Sequence, residues 1–480
     1  MSTTTKNIKI PYPTEGMIRS AQLNDTIAPE NSCQLSANMH FDRIGSVTTR
    51  NGVSTYATTL SGSVLSLGTL SIQGGVKRLL AQVGTDISSW DGASWTSVRT
   101  LTSATNKARY SQFLNLLYTV NGNNGDVVKT FDGTSYGTTN VGSLPKGDYV
   151  QAGFEGRIWV ADRVLDRLYY TDIVQPSGGG YVITGGTAFV EKLSPQDGQS
   201  ITGLFRVPRA LLVFKQNSIF RVYGASSIDP YPAYNVGTYS QESIIQAKDG
   251  VYFHHPTGFF KFSYDNQPTE ISKRVIDFVN NISRTNYDNI IGIYDNKDNV
   301  EWGVGSVTVE GVTFANCIMR YTISTQLWTV YDLASGVTPT AMVRYDDGTN
   351  IVPVLGVSSG KVGRLENGFD DFGAPIYYDY IDRWRSFTEL YSHAKALSGM
   401  MVQTENAAGA IIEYQIDKDA PNKWRPIDKV DQNFASLFPN MSTDDFNRFR
   451  FRIQGTTNGV PMIFSGVEFM SLQDKGFNEN

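Results

Sequence analysis

Short apolar runs alternate with polar positions along most of this chain, and turn-forming pairs break them at close intervals. Val76 to Val83, the pair Gly84-Thr85, and Asp86 to Trp90 read as one hairpin. Phe113 to Val120 and Val127 to Phe131, parted by Asn121-Gly122 and Asn124-Gly125, read as a second. Arg157 to Ala161 with Arg167 to Thr171, and Leu211 to Phe214 with Ser218 to Tyr223, give two more. Asn-Gly and Asp-Gly between alternating runs mark antiparallel hairpins, because these pairs accept the positive φ of a tight turn.

A longer cadence overlies the hairpins. Trp90-Asp91-Gly92-Ala93-Ser94-Trp95 and Phe131-Asp132-Gly133-Thr134-Ser135-Tyr136 share one internal spacing. Looser copies stand at Tyr170-Thr171-Asp172, Phe220 to Gly224, Phe262 to Asn266, Tyr321-Thr322 with Trp328, and Gly360 to Gly368. A repeat of about 40 residues made of short strands predicts an all-β chain, a β-propeller of about seven blades, six to eight by boundary error. The predicted organisation is an N-terminal arm and propeller-closing segment over 1–54, a propeller over 55–374, and a β-sandwich-like domain over 375–480. Ser272 reads as an N-cap for a helix bearing Val275, Ile276, Val279 and Ile282 on one face, and Phe434 to Phe438 as a second short helix.

Composition narrows the function classes. The chain has 480 residues, 12% aromatic and only 18% charged, with 45 glycines, which suits a turn-rich β protein. Its net charge is −5 and no basic stripe is present, so it lacks the footprint of a protein that grips nucleic acid. A mildly acidic surface instead lets DNA slide past. Two distant cysteines, Cys33 and Cys317, fit synthesis in a reducing cytosol. Residues 1–13 carry no signal-peptide apolar stretch, and no run reaches the roughly 18 apolar residues of a membrane span, so no membrane anchor is expected.

No catalytic, cofactor-binding or metal-ligating set is expected. His254 and His255 are adjacent on a strand and point to opposite faces, so they cannot share a metal. Asp91, Asp132 and Asp172 sit in turns, where Asp hydrogen-bonds its own backbone. Ser89-Trp90-Asp91-Gly92 departs from the sialidase Asp-box, since its Gly follows the Asp directly. Trp90, Trp95, Phe131, Tyr136, Trp159 and Trp328 are read as packing between twisted sheets, with a sugar-stacking surface as the alternative. Arg448-Phe449-Arg450-Phe451-Arg452-Ile453 alternates strictly, which puts three arginines on one face. With Arg383 and Arg385 they form a candidate subunit interface for an acidic neighbour, against the reading of a solvated strand.

The N-terminal stretch Pro29, Asn31-Ser32, Asn38, Asp42, Gly45 and Arg50-Asn51-Gly52 resembles the packaged-DNA stabilisation, or tail-nozzle, proteins of short-tailed bacteriophages. So do Leu211 to Lys215 with Ser218 to Val222, Gln241-Glu242-Ser243 before Asp249 to Phe253, and Arg450 to Ile453 with Ser465-Gly466-Val467. The order of these segments carries the resemblance across most of the chain. It implies a structural virion protein forming a homohexameric ring around the DNA channel. Portal and adaptor proteins would lie above, fibres, spikes or a needle below, and genomic DNA would pass without sequence-specific binding. The alternatives are a carbohydrate- or receptor-binding propeller and a propeller glycosidase.

Overall fold

The computed structural model describes residues 5–477 except 12, 20–28, 30, 42–44, 73, 178–179, 184–186, 191–192, 194–196, 226, 229–232, 265–266, 388–392, 421, 432–435 and 439–442. Asp42, Asp265, Asn266 and Phe434, which fall in segments used above, lie outside the described residues. The architecture is all-β, with several small antiparallel sheets in succession. Six four-stranded sheets are present among the described residues. Five follow chain order, beginning at Val64–Ser71, Arg109–Phe113, Tyr149–Phe154, Ile201–Val207 and Ile245–Ala247. A sixth unit, Ile291–Tyr294 to Leu327–Asp332, belongs to a larger sheet, and a seventh begins at Pro339–Asp346.

The repeated sequence motif explains how the first two sheets turn their last corner. Trp90 faces Trp95 across the pair of strands, and Phe131 faces Tyr136. Between them, Asp91 Oδ1 accepts from the amides of Ala93 and Ser94, both at 2.8 Å, and Gly92 has φ +104°. Asp132 does the same for Thr134 and Ser135 at 2.8 and 2.9 Å, with Gly133 at φ +100°. The aspartates thus close hairpins. Trp90, Phe131, Trp159 and Trp328 are buried, so these rings serve packing.

Neighbouring sheets meet through their first strands, from Val64–Ser71 round to Pro339–Asp346, which lies back against Val64–Ser71. Gln241 bridges the fourth and fifth sheets by exchanging hydrogen bonds of 2.6 and 3.1 Å with the Leu204 backbone. The outer strand of the seventh sheet comes from the other end of the chain: Ser54–Ala57 pairs antiparallel with Val362–Arg364.

The N-terminal strands do not form a separate arm. Thr5–Pro11 and Val47–Thr49 both pair with the long strand Ile463–Phe477. Cys33–Ala37 inserts between Leu327–Asp332 and Tyr377–Asp382, producing one nine-stranded sheet that runs from the sixth unit into the C-terminal region. That sheet packs on the seven-stranded sheet centred on Ile463–Phe477. Phe449, Phe451, Phe464 and Phe469 fill the space between, with ring centroids 5.2 Å apart for Phe449 and Phe469. Each buried ring contributes roughly 1.5–3 kcal/mol by leaving water.

The expected helices are shorter or absent. The helix covers only Ile276–Asn280, after a 3₁₀ turn at Lys273–Val275. Ser272 does not cap it, because its Oγ accepts instead from the Phe259 amide at 3.0 Å. Val275, Val279 and Ile282 are buried as the periodicity indicated, whereas Ile276 is only partly buried and Phe278 takes its place in the core. Ser436–Phe438 is a strand paired with Met400–Val402, so pairing at a sheet edge overrides the helical reading there.

Candidate functional site

The alternation of Arg448 to Ile453 places Phe449, Phe451 and Ile453 in the core and Arg450 and Arg452 on the opposite face. Three of the five candidate arginines, Arg448, Arg450 and Arg452, come together there. Arg385 reaches the strand through backbone pairing with Phe449 and forms an ion pair with Asp382, while Arg383 Nε donates to the Trp384 carbonyl at 3.4 Å. Two indoles not foreseen from the sequence complete a ladder. Arg450 lies 4.5 Å from the ring of Trp384 and 4.9 Å from that of Trp424. Arg448 stacks on Trp384 at 5.5 Å and Arg452 on Trp424 at 5.7 Å. The planar guanidinium suits this sandwich, and Lys would not replace it. A signal for the pair was present: Arg383-Trp384-Arg385 and Lys423-Trp424-Arg425 repeat one cation–Trp–Arg pattern.

The ladder also engages its own chain. Arg452 grips Asp379 with two bonds of 2.8 and 2.7 Å and reaches Glu413 at 3.3 Å. Arg450 is 7% exposed and donates to Gln415 at 2.9 Å and to Gln34. Arg448 is the exposed end of the ladder.

The stretch around Asn38 and Arg50 forms a buried joint. Arg50 and Asp371 are each 1% exposed and share two bonds of 2.8 and 2.6 Å. Arg50 Nε donates to Asn38 Oδ1 at 2.7 Å, and its guanidinium lies 5.3 Å from the Tyr331 ring. Asn38, at φ +56°, donates to the carbonyls of Asp332 and Tyr377 at 3.0 and 2.7 Å. At Gly52 any Cβ would stand 1.9 Å from the Asp370 carbonyl oxygen, so only glycine fits. One cluster therefore ties the N-terminal strands to the sixth unit, the seventh sheet and the C-terminal module.

The remaining candidates lie apart from this face. His254 is buried with neither ring nitrogen hydrogen-bonded, its ring 5.1 Å from that of Phe259, and burial pushes its pKa down to about 3, with His255 adding to the effect. His255 bonds Thr257 at 2.8 Å and Asn217 at 3.3 Å. No group of metal-ligating side chains occurs among the described residues. Asp172 lies 3.7 Å from Arg157. Where the first strands converge, Arg109 donates to Glu242 at 2.8 Å, beside a recess of about 260 Å³ that Tyr110 and Gln112 also line.

No family model matches the chain, and no curated protein does. Similar solved structures include a streptogramin B lyase structure, 16% identical, covering 66% of this chain and 97% of that one, with a TM-score of 0.45. An extracellular domain from B. thetaiotaomicron is 12% identical over 92% of this chain and 63% of its own, at 0.46. The RRP9 WD40 repeats are 9% identical over 66% and 99%, at 0.44. The fold is loosely propeller-like.

Proposed function

We propose that this chain is a structural subunit of a short-tailed bacteriophage tail, a nozzle or head–tail closure component that rings the DNA channel. In this reading the seven units are blades of a propeller, and Ser54–Ala57 closes its circle. The observation that carries it is the joint at Arg50. Asn38, Arg50 and Gly52, part of the N-terminal stretch of the resemblance, lock the N-terminal strands to the sixth and seventh units and the C-terminal module. They act on architecture, as the parts of a load-bearing ring must. A net charge of −5 is compatible with passage of DNA without retention on the walls. Portal and adaptor proteins, and fibres, spikes or a needle, are the partners in the virion tail. Negative-stain class averages of the purified chain, alone and with portal and adaptor, test the reading. Homohexameric rings are expected; a chain that stays monomeric and binds neither protein would overturn it.

A second reading is a carbohydrate- or receptor-binding propeller. It is favoured by the recess at Arg109, Glu242 and Gln112, part polar and part apolar, which sits where the first strands converge. A glycan array decides it: a specific ligand lost in Arg109→Ala supports a binding propeller, and no ligand across the array removes it.

A further inference from the structure

The tip of the long hairpin of the sixth unit, Val309 to Val312, stands over the arginine face of the C-terminal module and leaves a cleft of about 200 Å³. Its floor is apolar, made by Leu35, Ile381, Phe278 and Phe314. Its rim carries three guanidinium groups, Arg19, Arg450 and Arg452, against one lining carboxylate, Glu310. Arg452 is balanced by Asp379 and Glu413 beneath the face. Arg19 is different. Its side chain is 6% exposed, its Nε has no hydrogen-bond partner, and its ion pair is with Glu310, which is 52% exposed. A buried guanidinium donor without an acceptor is destabilising, so Arg19 keeps an unused capacity for one. Asn422 pins the hairpin tip by donating to the Glu310 carbonyl at 3.0 Å, and Trp424 walls the opening.

We propose that this cleft receives the C-terminal residue of a partner polypeptide, its apolar side chain on the floor and its α-carboxylate on Arg19. Size, charge and polarity select that occupant. The space is below the roughly 300 Å³ of ordinary small-molecule pockets, so one residue enters and the rest of the ligand stays outside. An internal Asp or Glu brings a carboxylate but leaves the apolar floor uncovered. A chain-terminal Leu or Phe carries both groups on one Cα. Arginine takes a carboxylate through two parallel bonds, which fixes the residue's orientation as well as its charge. The inference stands apart from the tail reading, since any partner chain ending in such a residue satisfies it.

Fluorescence anisotropy on the full chain tests it. The probes are a labelled Gly/Ser octapeptide ending in Phe with a free carboxylate, its C-terminal amide, and the same peptide ending in Ser. The free acid is expected to bind about tenfold or more tightly than either control, the worth of one charge-assisted pair. Glu310→Gln, at an exposed position, should tighten the acid and leave the amide unchanged, because it removes the competing carboxylate. Arg19→Gln should erase the difference between acid and amide. Acid and amide binding alike, or Glu310→Gln without effect on the acid, would overturn the proposal. N-acetylphenylalanine, which carries the same side chain and carboxylate, should compete with the peptide, and its failure to do so would overturn the proposal.

Discussion

Arg50 and Arg450 are the same side chain put to opposite uses. Arg50 meets a carboxylate as buried as itself, and its bonds cross between strands more than 300 residues apart in sequence, as the separation of 321 to Asp371 records. Arg450 meets neutral amides of Gln415 and Gln34 and two indole faces, at the edge of an open face. In the joint, charge is enclosed and its geometry fixed, so removing one partner strands the other in the interior. On the ladder, charge is spread over rings that lose little when a cation leaves. The difference lies in what surrounds the guanidinium, and it separates a residue that holds distant strands together from one at the edge of an open face.

The largest test of that contrast is Arg50→Ala. It leaves Asp371 buried and unpaired, and about 3–5 kcal/mol of stability should go with it, read by urea unfolding. A loss under about 1 kcal/mol would mean the joint is not a structural centre. Gly52→Ala attacks the same joint through its backbone. The added Cβ meets the Asp370 carbonyl, so about 1–3 kcal/mol or more should be lost without any change of charge. Arg452→Ala falls between the two regions. Asp379 is 4% exposed and Glu413 15%, so the substitution leaves one nearly buried carboxylate without its partner, and a loss of about 2 kcal/mol is expected.

These positions also mark how far the sequence could be read. The strict alternation of Phe449, Phe451 and Ile453 was enough to place three arginines opposite the core. Asp91 and Asp132 were legible as turn residues because their chemistry is local, two and three residues long. The Arg50–Asp371 pair was not, since nothing in a one-dimensional pattern links residues 321 apart. The same limit hid the path of the N-terminus. Strands 5–11 and 33–37 have ordinary alternation, and only their partners, 463–477 and 377–382, reveal that they belong to the C-terminal module. Ser272 failed as a cap for a related reason: its hydroxyl was claimed by a strand residue, Phe259, which local sequence does not bring near.

His254 sharpens the contrast with a group that can shed its charge. It lies buried among aromatic rings with its folded pKa near 3, below the unfolded value of about 6.5. The unfolded chain therefore binds the proton more readily. Its contribution is whole above pH 6.5 and is lost as pH falls from there towards the folded value. Stability should decline across that window, and His254→Phe should flatten the decline while removing an unsatisfied donor. An unchanged slope in the variant would assign the pH dependence to other groups.

Arg448→Ala should have the smallest effect on the folded chain and is the sharpest probe of the outer face. Arg448 is exposed and stacks on Trp384 at 5.5 Å, an arrangement worth about 0.5–1 kcal/mol at most in water. Arg450 also lies over Trp384, at 4.5 Å, and keeps the ring packed when Arg448 goes. Unfolding should shift by less than about 0.5 kcal/mol, as for most surface changes. If the face is an interface for an acidic neighbour, the same substitution should weaken association and steepen its salt sensitivity, measured by sedimentation across an ionic-strength series, since rim charges act on encounter more than on packing. An Arg448→Ala chain that unfolds early but associates normally would reverse the assignment, making the ladder part of the scaffold and leaving the Arg50 joint without its contrast.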